Sequence, residues 1–349
     1  MQMIRTAICS FGMSGKVFHA PFIDLHPGFQ LYAVWERSKK AAAAIYPNII
    51  SYDSYEAMLA DSNIDLVVVN TPNVTHYEHA KQALLAGKHV VVEKPFTATV
   101  AEAFELEQLA DKQDRIISVY HNRRFDSGFK TLQRIIESGV LGEIKEAEFH
   151  FDRYNLNISP KLHKETAVKG TGIVYDLGSH IIDQALTLFG MPEAVFGDIQ
   201  IQRSISQVDD YFEILLFYPH MRVRLKGGYL IVEPVPAHVL HGTKGSFLKS
   251  HADVQEAMLI AGHKPEGSDW GTEPASAKGL LVLMENGQPK KELVPSEQGN
   301  YMEFYDGLYN AISSNIYDGH FVPAGDGANV IRIIEAAYQS RDEKKIVEL

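Results

Sequence analysis

Short runs of β-branched and other apolar residues at 4–9, 30–35, 66–70, 89–92 and 116–120 predict strands in the first third of the chain. Each run is apolar at successive rather than alternate positions, the pattern of a parallel strand covered on both faces. Between them, residues 39–45, 54–60, 75–86 and 100–111 carry apolar side chains at helical spacing, and Gly87 stands where a C-cap glycine would. Repetition of strand, helix and strand predicts a doubly wound parallel α/β sheet. After Arg124 the pattern changes. Helical spacing at 126–137 and 177–189 alternates with long strand-like segments at 144–154, 194–203, 211–218 and 222–231. In Phe212-Glu213-Ile214 and Val223-Arg224-Leu225, apolar and polar positions alternate, as in an open antiparallel sheet with helices on one side. The expectation is two domains: a doubly wound one over 1–122, and an α+β one over 123–349 with a large open, mainly antiparallel sheet. Residues 262–277 read as a loop, and 328–340 as a final helix with a continuous apolar stripe.

Composition narrows the partners. The 349 residues include 33 Lys+Arg against 44 Asp+Glu, a formal charge of −11, with 45% hydrophobic and 22% charged residues, the balance of a globular protein. Net acidity without a basic block argues against nucleic acid. Apolar runs such as 41–46 fall far short of the ~18 residues of a membrane span, so no membrane role is expected. The lone cysteine, Cys9, excludes an internal disulfide, and Met1-Gln2-Met3-Ile4-Arg5 lacks the apolar stretch of a signal peptide. A cytoplasmic protein with a small-molecule partner is expected.

Candidate chemistry sits at the ends of the predicted strands. After the first comes Ser10-Phe11-Gly12-Met13-Ser14-Gly15, in which Gly12 and Gly15 occupy two of the three glycine positions of G-x-G-x-x-G and Ser10 the first. Such a turn lets backbone N–H groups at a helix N-terminus approach a pyrophosphate. In isolation two such glycines would more often mark an ordinary strand-to-helix turn, but their place after the first strand favours a dinucleotide. Val17 stands where a P-loop needs Ser or Thr, which excludes a nucleotide triphosphatase. Glu36, 21 residues beyond Gly15, is placed to accept hydrogen bonds from an adenosine ribose, as in NAD sites. Arg37, Ser38 and Lys39 offer donors to a 2′-phosphate, or simply solvate a helix start; NADP is the preferred expectation and NAD the alternative.

Thr71-Pro72-Asn73 follows the third predicted strand and Glu93-Lys94-Pro95 the fourth, where ligands of open parallel sheets bind. Pro95 restricts Lys94 to extended backbone, which keeps it out of a helix. In Tyr175-Asp176-Leu177-Gly178-Ser179-His180, Asp176 stands as an N-cap and precedes His180 by one helical turn, so that a carboxylate could favour a protonated imidazole; Asp183 lies three residues on. The plainer alternative makes Asp176 only a cap and His180 a core residue. His76 and His79 read as an exposed first turn, and without a companion cluster of Cys, Asp or Glu no metal is expected.

Glu93-Lys94-Pro95, Tyr120-His121-Asn122-Arg123-Arg124 and Tyr175-Asp176-Leu177-Gly178-Ser179-His180, in this order, resemble the Gfo/Idh/MocA family, named for glucose–fructose oxidoreductase and inositol dehydrogenase. The resemblance spans nearly the whole chain. Gly12-Met13-Ser14-Gly15-Lys16-Val17-Phe18-His19-Ala20-Pro21, Tyr77-Glu78-His79 and Val330-Ile331-Arg332-Ile333-Ile334-Glu335-Ala336-Ala337 look like the branch containing NADP-dependent scyllo-inositol dehydrogenases. The resemblance implies a Rossmann domain, a dihydrodipicolinate-reductase-like C-terminal domain whose sheet forms a homodimer or homotetramer, and a substrate cleft between the two. It implies that Lys94, Asp176 and His180 face the nicotinamide and the reacting alcohol. The expected cofactor set is then Gly12, Met13, Ser14, Gly15, Glu36, Arg37, Ser38, Thr71, Pro72, Asn73, His76, Glu93, Lys94, Asn122 and Arg123, with Tyr154 and His163 added to the substrate wall.

The expected activity is hydride transfer between nicotinamide and a secondary alcohol of a polyol or sugar, scyllo-inositol among them. An aldose, keto-sugar or dicarbonyl reductase would use the same group. A non-catalytic NAD(P)-sensing regulator would be expected to lack the lysine or the Asp-x-x-x-His pair, and this chain has all three residues. Two departures stand out: Ser10 replaces the first glycine, and His163-Lys164 stands where related inositol dehydrogenases tend to carry Trp-Arg, which leaves the polyol open.

Overall fold

The computed structural model describes residues 3–36 and 40–349 and divides into two compact units. The first comprises Met1–Asn122, Gln255–Trp270 and Asn300–Ala328, and the second Arg123–Val254, Gly271–Gly299 and Asn329–Leu349. A cut after residue 122 therefore describes only the first passage of the chain from one unit to the other.

In the first unit, strands β1 (Ile4–Ile8), β2 (Phe29–Trp35), β3 (Ile50–Tyr52), β4 (Leu66–Val69), β5 (His89–Glu93) and β6 (Ile117–Tyr120) form one sheet in the order β3-β2-β1-β4-β5-β6. All its pairs are parallel. Every residue of β4 is buried, as its unbroken Leu-Val-Val-Val run demands. The order turns back on itself between β1 and β4, so the loops leaving these two strands open at a topological switch point. Helices α1 (Ala20–Leu25), α2 (Tyr55–Leu59), α3 (His76–Leu85) and α4 (Val100–Lys112) make the crossovers. Local chemistry sets their ends: Thr99 and Glu102 form a capping box on α4, and Gly87, at φ +72°, follows the C-cap of α3. Two details differ from the pattern. The short edge strand β3 was not predicted, and of the helix expected at 39–45 the described part holds only a 3₁₀ turn, Ala42–Ala44, in a run that Pro47 closes.

The second unit packs α5 (Ser127–Glu137), α6 (Leu162–Glu165) and α7 (Ser179–Phe189) with a nine-stranded sheet. Its strands are β7 (Ile144–Asp152), β8 (Ala194–Gln200), β9 (Tyr211–Phe217), β10 (Arg222–Gly228), β11 (His238–Gly242), β12 (Gly245–Lys249), β13 (Gly279–Glu285), β14 (Gln288–Val294) and β15 (Val347–Glu348). They run in the order β14-β13-β12-β11-β7-β10-β9-β8-β15, antiparallel except for β7 with β10. The alternation in β9 works as expected: Phe212, Ile214 and Leu216 are fully buried while their neighbours are half-exposed. Helices α8 (Gln255–Ile260) and α9 (Met302–Ser314) return the chain to the first unit, and α10 (Ala324–Glu343) leads from it into the second. Among the described residues no helix is long and apolar enough to cross a membrane, and no three His, Cys, Asp or Glu side chains group as metal ligands.

Candidate active site

In the first unit, β1 leads through Ser10-Phe11-Gly12 into a helical run at 13–25 whose middle is a π-turn, Gly15–His19. Close approach dictates Gly15: a Cβ there would lie 2.0 Å from the Ser10 carbonyl oxygen and 2.9 Å from Asn70 Nδ2. Gly12 is exposed, and Ser10 fits the first position of the turn by accepting a 3.4 Å bond from the Gly12 N–H. Asn70, just past the end of β4, donates to the Ser10 carbonyl at 2.9 Å, while its own buried Oδ1 has no hydrogen-bond partner. A turn that admits no Cβ at Gly15 and runs directly into a helix, whose first N–H groups are donors, suits a dinucleotide phosphate cradle at Gly12, Met13, Ser14 and Gly15. Sequence reasoning missed Asn70; the signal was a polar residue closing an otherwise apolar strand.

The ribose side departs from expectation. Glu36 is buried, and its carboxylate accepts the backbone N–H groups of Ala41 at 2.7 Å and Ala42 at 3.2 Å, with the Ser51 hydroxyl at 3.4 Å. Both oxygens therefore brace the following turn. Arg37 and Ser38, with Lys39, lie outside the described residues. After β4, the Thr75 N–H and hydroxyl bond to the Pro72 carbonyl at 2.8 and 2.7 Å, the Thr75 hydroxyl also reaches Thr71 Oγ1 at 2.8 Å, and Asn73 opens the short turn into α3.

Glu93 ends β5 and organises the glycine turn from the other side. Its Oε1 accepts from the Ser14 hydroxyl at 2.6 Å and lies 3.0 Å from Nε2 of the fully buried His19, whose Nδ1 faces the Tyr305 hydroxyl at 2.8 Å. Burial alone would raise the Glu93 carboxyl, but the bonds and charge of His19, the Ser14 hydroxyl and the Lys94 charge hold it down at about 2. The π-turn, with its extra residue per turn, is what carries both Ser14 and His19 at Glu93. Lys94 follows directly, half-buried at a bend and joined to Pro95 by a cis peptide.

His76 corrects the expectation of an exposed first turn. It is fully buried, with Nδ1 2.8 Å from the Pro95 carbonyl oxygen and Nε2 2.9 Å from that of Thr71. Burial pushes its pKa below the usual imidazole range, against the pull of those carbonyls and of Glu93. Hydropathy could not show this, because the partners are backbone oxygens. His76 thus ties the loop after β4 to the loop after β5, placing Thr71 and Lys94 from behind.

In the second unit, a second π-turn, Val174–Gly178, carries Asp176 into α7, whose second residue is the buried His180. The spacing of four residues thus crosses from π to α winding. Lys164 Nζ, from α6, donates to Asp176 Oδ2 at 2.9 Å, so one residue of the divergent His163-Lys164 pair is held at the motif itself. Asp183 is buried and accepts both Nε and Nη2 of Arg124, at 2.9 and 2.5 Å. His180 stacks on Phe151, 5.8 Å between ring centroids, and both line a cavity of about 200 Å³ with Asp152, Arg153, Arg123 and His238. Neither Tyr154 nor His163 lines it: both are exposed, Tyr154 lying past the end of β7 in an isolated bridge to Leu230. Arg123 is buried over the Phe151 ring and pairs with Asp126 at 3.3 Å, whereas Asn122 ends the first segment of the first unit. Phe151, Asp152 and Arg153 were not singled out from sequence, although the first two close β7 at its C-terminal end and Arg153 follows directly.

A doubly wound sheet with a close-approach glycine, Gly15, in the strand-to-helix turn at its switch point has the features of a dinucleotide-binding protein. The chain belongs to the Gfo/Idh/MocA oxidoreductase family: residues 4–121 match its NAD-binding Rossmann-fold model and residues 133–349 its C-terminal alpha/beta model. It is 38% identical over 348 residues to a scyllo-inositol 2-dehydrogenase (NADP+) of Bacillus subtilis (strain 168), covering 99% of this chain and 96% of that one. A solved structure from Bacteroides fragilis NCTC 9343 is 46% identical with both chains covered in full and a TM-score of 0.90. Another, from Bacillus subtilis, is 37% identical with 99% and 100% covered and a TM-score of 0.93. The protein is thus an NAD(P)-binding oxidoreductase.

Proposed function

We propose that the protein interconverts a secondary alcohol of a polyol or sugar and the corresponding ketone, with NADP as the preferred cofactor and scyllo-inositol as the first substrate to try. The observation that carries this reading is the buried His180, stacked on Phe151 beside a cavity that Arg123, Asp152 and Arg153 also line, and preceded by Asp176 in the same helical run. The named activity of the Bacillus subtilis relative, similar over almost its whole length, supports the choice of substrate. Bound nicotinamide would supply the hydride acceptor. His180 takes the hydroxyl proton in oxidation and returns it in reduction, Asp176 supports the imidazolium, and Lys94 hydrogen-bonds the reacting oxygen and stabilises its developing charge. Gly12, Met13, Ser14 and Gly15 hold the pyrophosphate, and Thr71, Pro72, Asn73 and Asn122 line the remaining cofactor path. Glu93 and His76 position these loops.

The NADP named for the Bacillus subtilis relative supports that preference, as does Glu36, whose two carboxylate oxygens are taken up by backbone amides and so are less available to a ribose diol. The test is a panel of inositol isomers and aldoses, each offered with NAD and NADP, read at the reduced-nicotinamide absorbance band. Turnover of a polyol with NADP above NAD is expected; no turnover of any compound with either cofactor rejects the reading. The wide sheet of the second unit, half-exposed on one face of β7, β9 and β10, is the surface through which a homodimer or homotetramer would assemble. A monomeric mass by light scattering rejects that arrangement.

A further inference from the structure

Lys164 fixes the carboxylate of Asp176, but the backbone that carries this carboxylate is fixed from elsewhere in the second unit. A π-turn is a rare winding, and Val174–Gly178 is held in it by groups outside the turn. Asp209, two residues before β9, supplies two of the bonds. Its Oδ2 accepts the Val174 N–H at 3.1 Å, and its carbonyl accepts the Ile173 N–H at 2.9 Å. Both are donors that a helical run leaves over at its start. Gly172 packs directly on the same carboxylate: at φ +96° it carries no Cβ, and one there would lie 2.2 Å from Asp209 Oδ1. The Gly172 carbonyl in turn accepts the Asp176 N–H at 3.0 Å.

The other carboxylate oxygen is held from α10. The Tyr338 hydroxyl donates to Asp209 Oδ1 at 2.6 Å, and the same ring stacks on Tyr175, 5.9 Å between centroids, next to Asp176 in the chain. Asp209 is absent from the walls of the cavity beside His180, so any effect on chemistry there has to pass through the turn. We infer that Asp209, aimed by Tyr338, is a positioning residue of the oxidoreduction: it fixes the start of the π-turn so that Asp176 stands where it supports the His180 imidazolium. This rests on the reading of Asp176 and His180 as the acid–base pair of the site.

The experiment compares wild type with Asp209→Ala, Asp209→Asn and Tyr338→Phe on the best compound of the inositol and aldose panel. In Asp209→Ala, kcat is expected to fall ~10-fold or more, with KM and NADPH affinity within ~3-fold of wild type. Asp209→Asn restores most of kcat, because its amide oxygen can accept from Val174 while its NH₂ group donates to the Tyr338 hydroxyl oxygen. Tyr338→Phe shows the same split at ~3-fold, and it carries the test if the alanine variant does not fold. In an Asp176→Ala background, Asp209→Ala lowers kcat by less than ~2-fold more, since the group it positions is gone. A kcat near wild type in Asp209→Ala, a loss that Asp209→Asn does not restore, or the full ~10-fold loss without Asp176 overturns the assignment and leaves the oxidoreductase reading standing. If wild type turns over no polyol, that reading fails, and amide hydrogen exchange decides the anchor separately. Faster exchange over 173–178 in Asp209→Ala but not in Asp209→Asn upholds it, and unchanged exchange overturns it.

Discussion

Replacing Lys94 with Ala is expected to lower turnover of the preferred polyol by about 10²-fold or more, with NADP(H) binding within a few-fold of wild type. The effect on kcat follows from the role: charge that develops on the substrate oxygen in the transition state loses its cationic partner, while the ground-state cofactor contacts at Gly12–Gly15 remain. The neighbouring network separates this from a folding defect. Glu93 is held by His19 and Ser14 through side chains that Lys94 does not supply, so the loop after β5 keeps its main anchors when the amine is gone. His76 holds the Pro95 carbonyl in the same way. Stopped-flow turnover together with fluorescence titration of NADPH checks both halves. A kcat within threefold of wild type would remove Lys94 from the chemistry, and a parallel loss of NADPH binding would make it a cofactor ligand instead.

The doubly wound unit was legible because its strands are buried on both faces and announce themselves as unbroken apolar runs, Leu66–Val69 most plainly. The alternating strands β9 and β10 were legible for the complementary reason, one wet face each. Part of what escaped lacks either signature. β3 is three half-exposed or exposed residues at a sheet edge, and β14, Gln-Pro-Lys-Lys-Glu-Leu-Val, is exposed at every position but the last. α9 did carry a helical stripe, Phe304, Leu308 and Ala311, that went unread. The two π-turns have no residue signature at all, yet they place Ser14, His19 and Asp176.

At the site, the residue types of the catalytic candidates were legible as motifs, but their partners were not. Glu36 and His76 both looked available to a ligand, and both proved to be bound to backbone groups brought near by the fold. Lys164 reaches Asp176 across 12 residues, and His238 meets Gln184 across 54, pairings that no local spacing encodes. Polar side chains reveal their element more readily than their neighbour, because hydrogen-bond partners are set by topology.

The same limit hid the most consequential polar group of the second unit. Lys249 at the end of β12 is fully buried, its Nζ 2.7 Å from Oε2 of Glu273 and 3.1 Å from the Ser250 carbonyl. Glu273 is 1% exposed in its side chain and also accepts from the hydroxyls of Ser127 at 2.5 Å and Ser296 at 2.6 Å. The pair therefore joins α5, the end of β12 and the segment at 271–299. Two desolvated charges roughly balance their own burial, but either one alone does not. Lys249→Met is expected to destabilise the protein by about 3–5 kcal/mol, since it leaves a buried carboxylate with only two hydroxyl donors. That corresponds to a fall of roughly 10 °C in melting temperature for a unit of this size. Adding Glu273→Gln to the methionine variant removes the stranded charge and is expected to recover a good part of the loss, a coupling that calorimetric melting of the two single variants and the double variant measures. A single-variant loss below ~1 kcal/mol would show that water or a neighbouring donor already compensates Glu273, and that this pair does not hold the unit together.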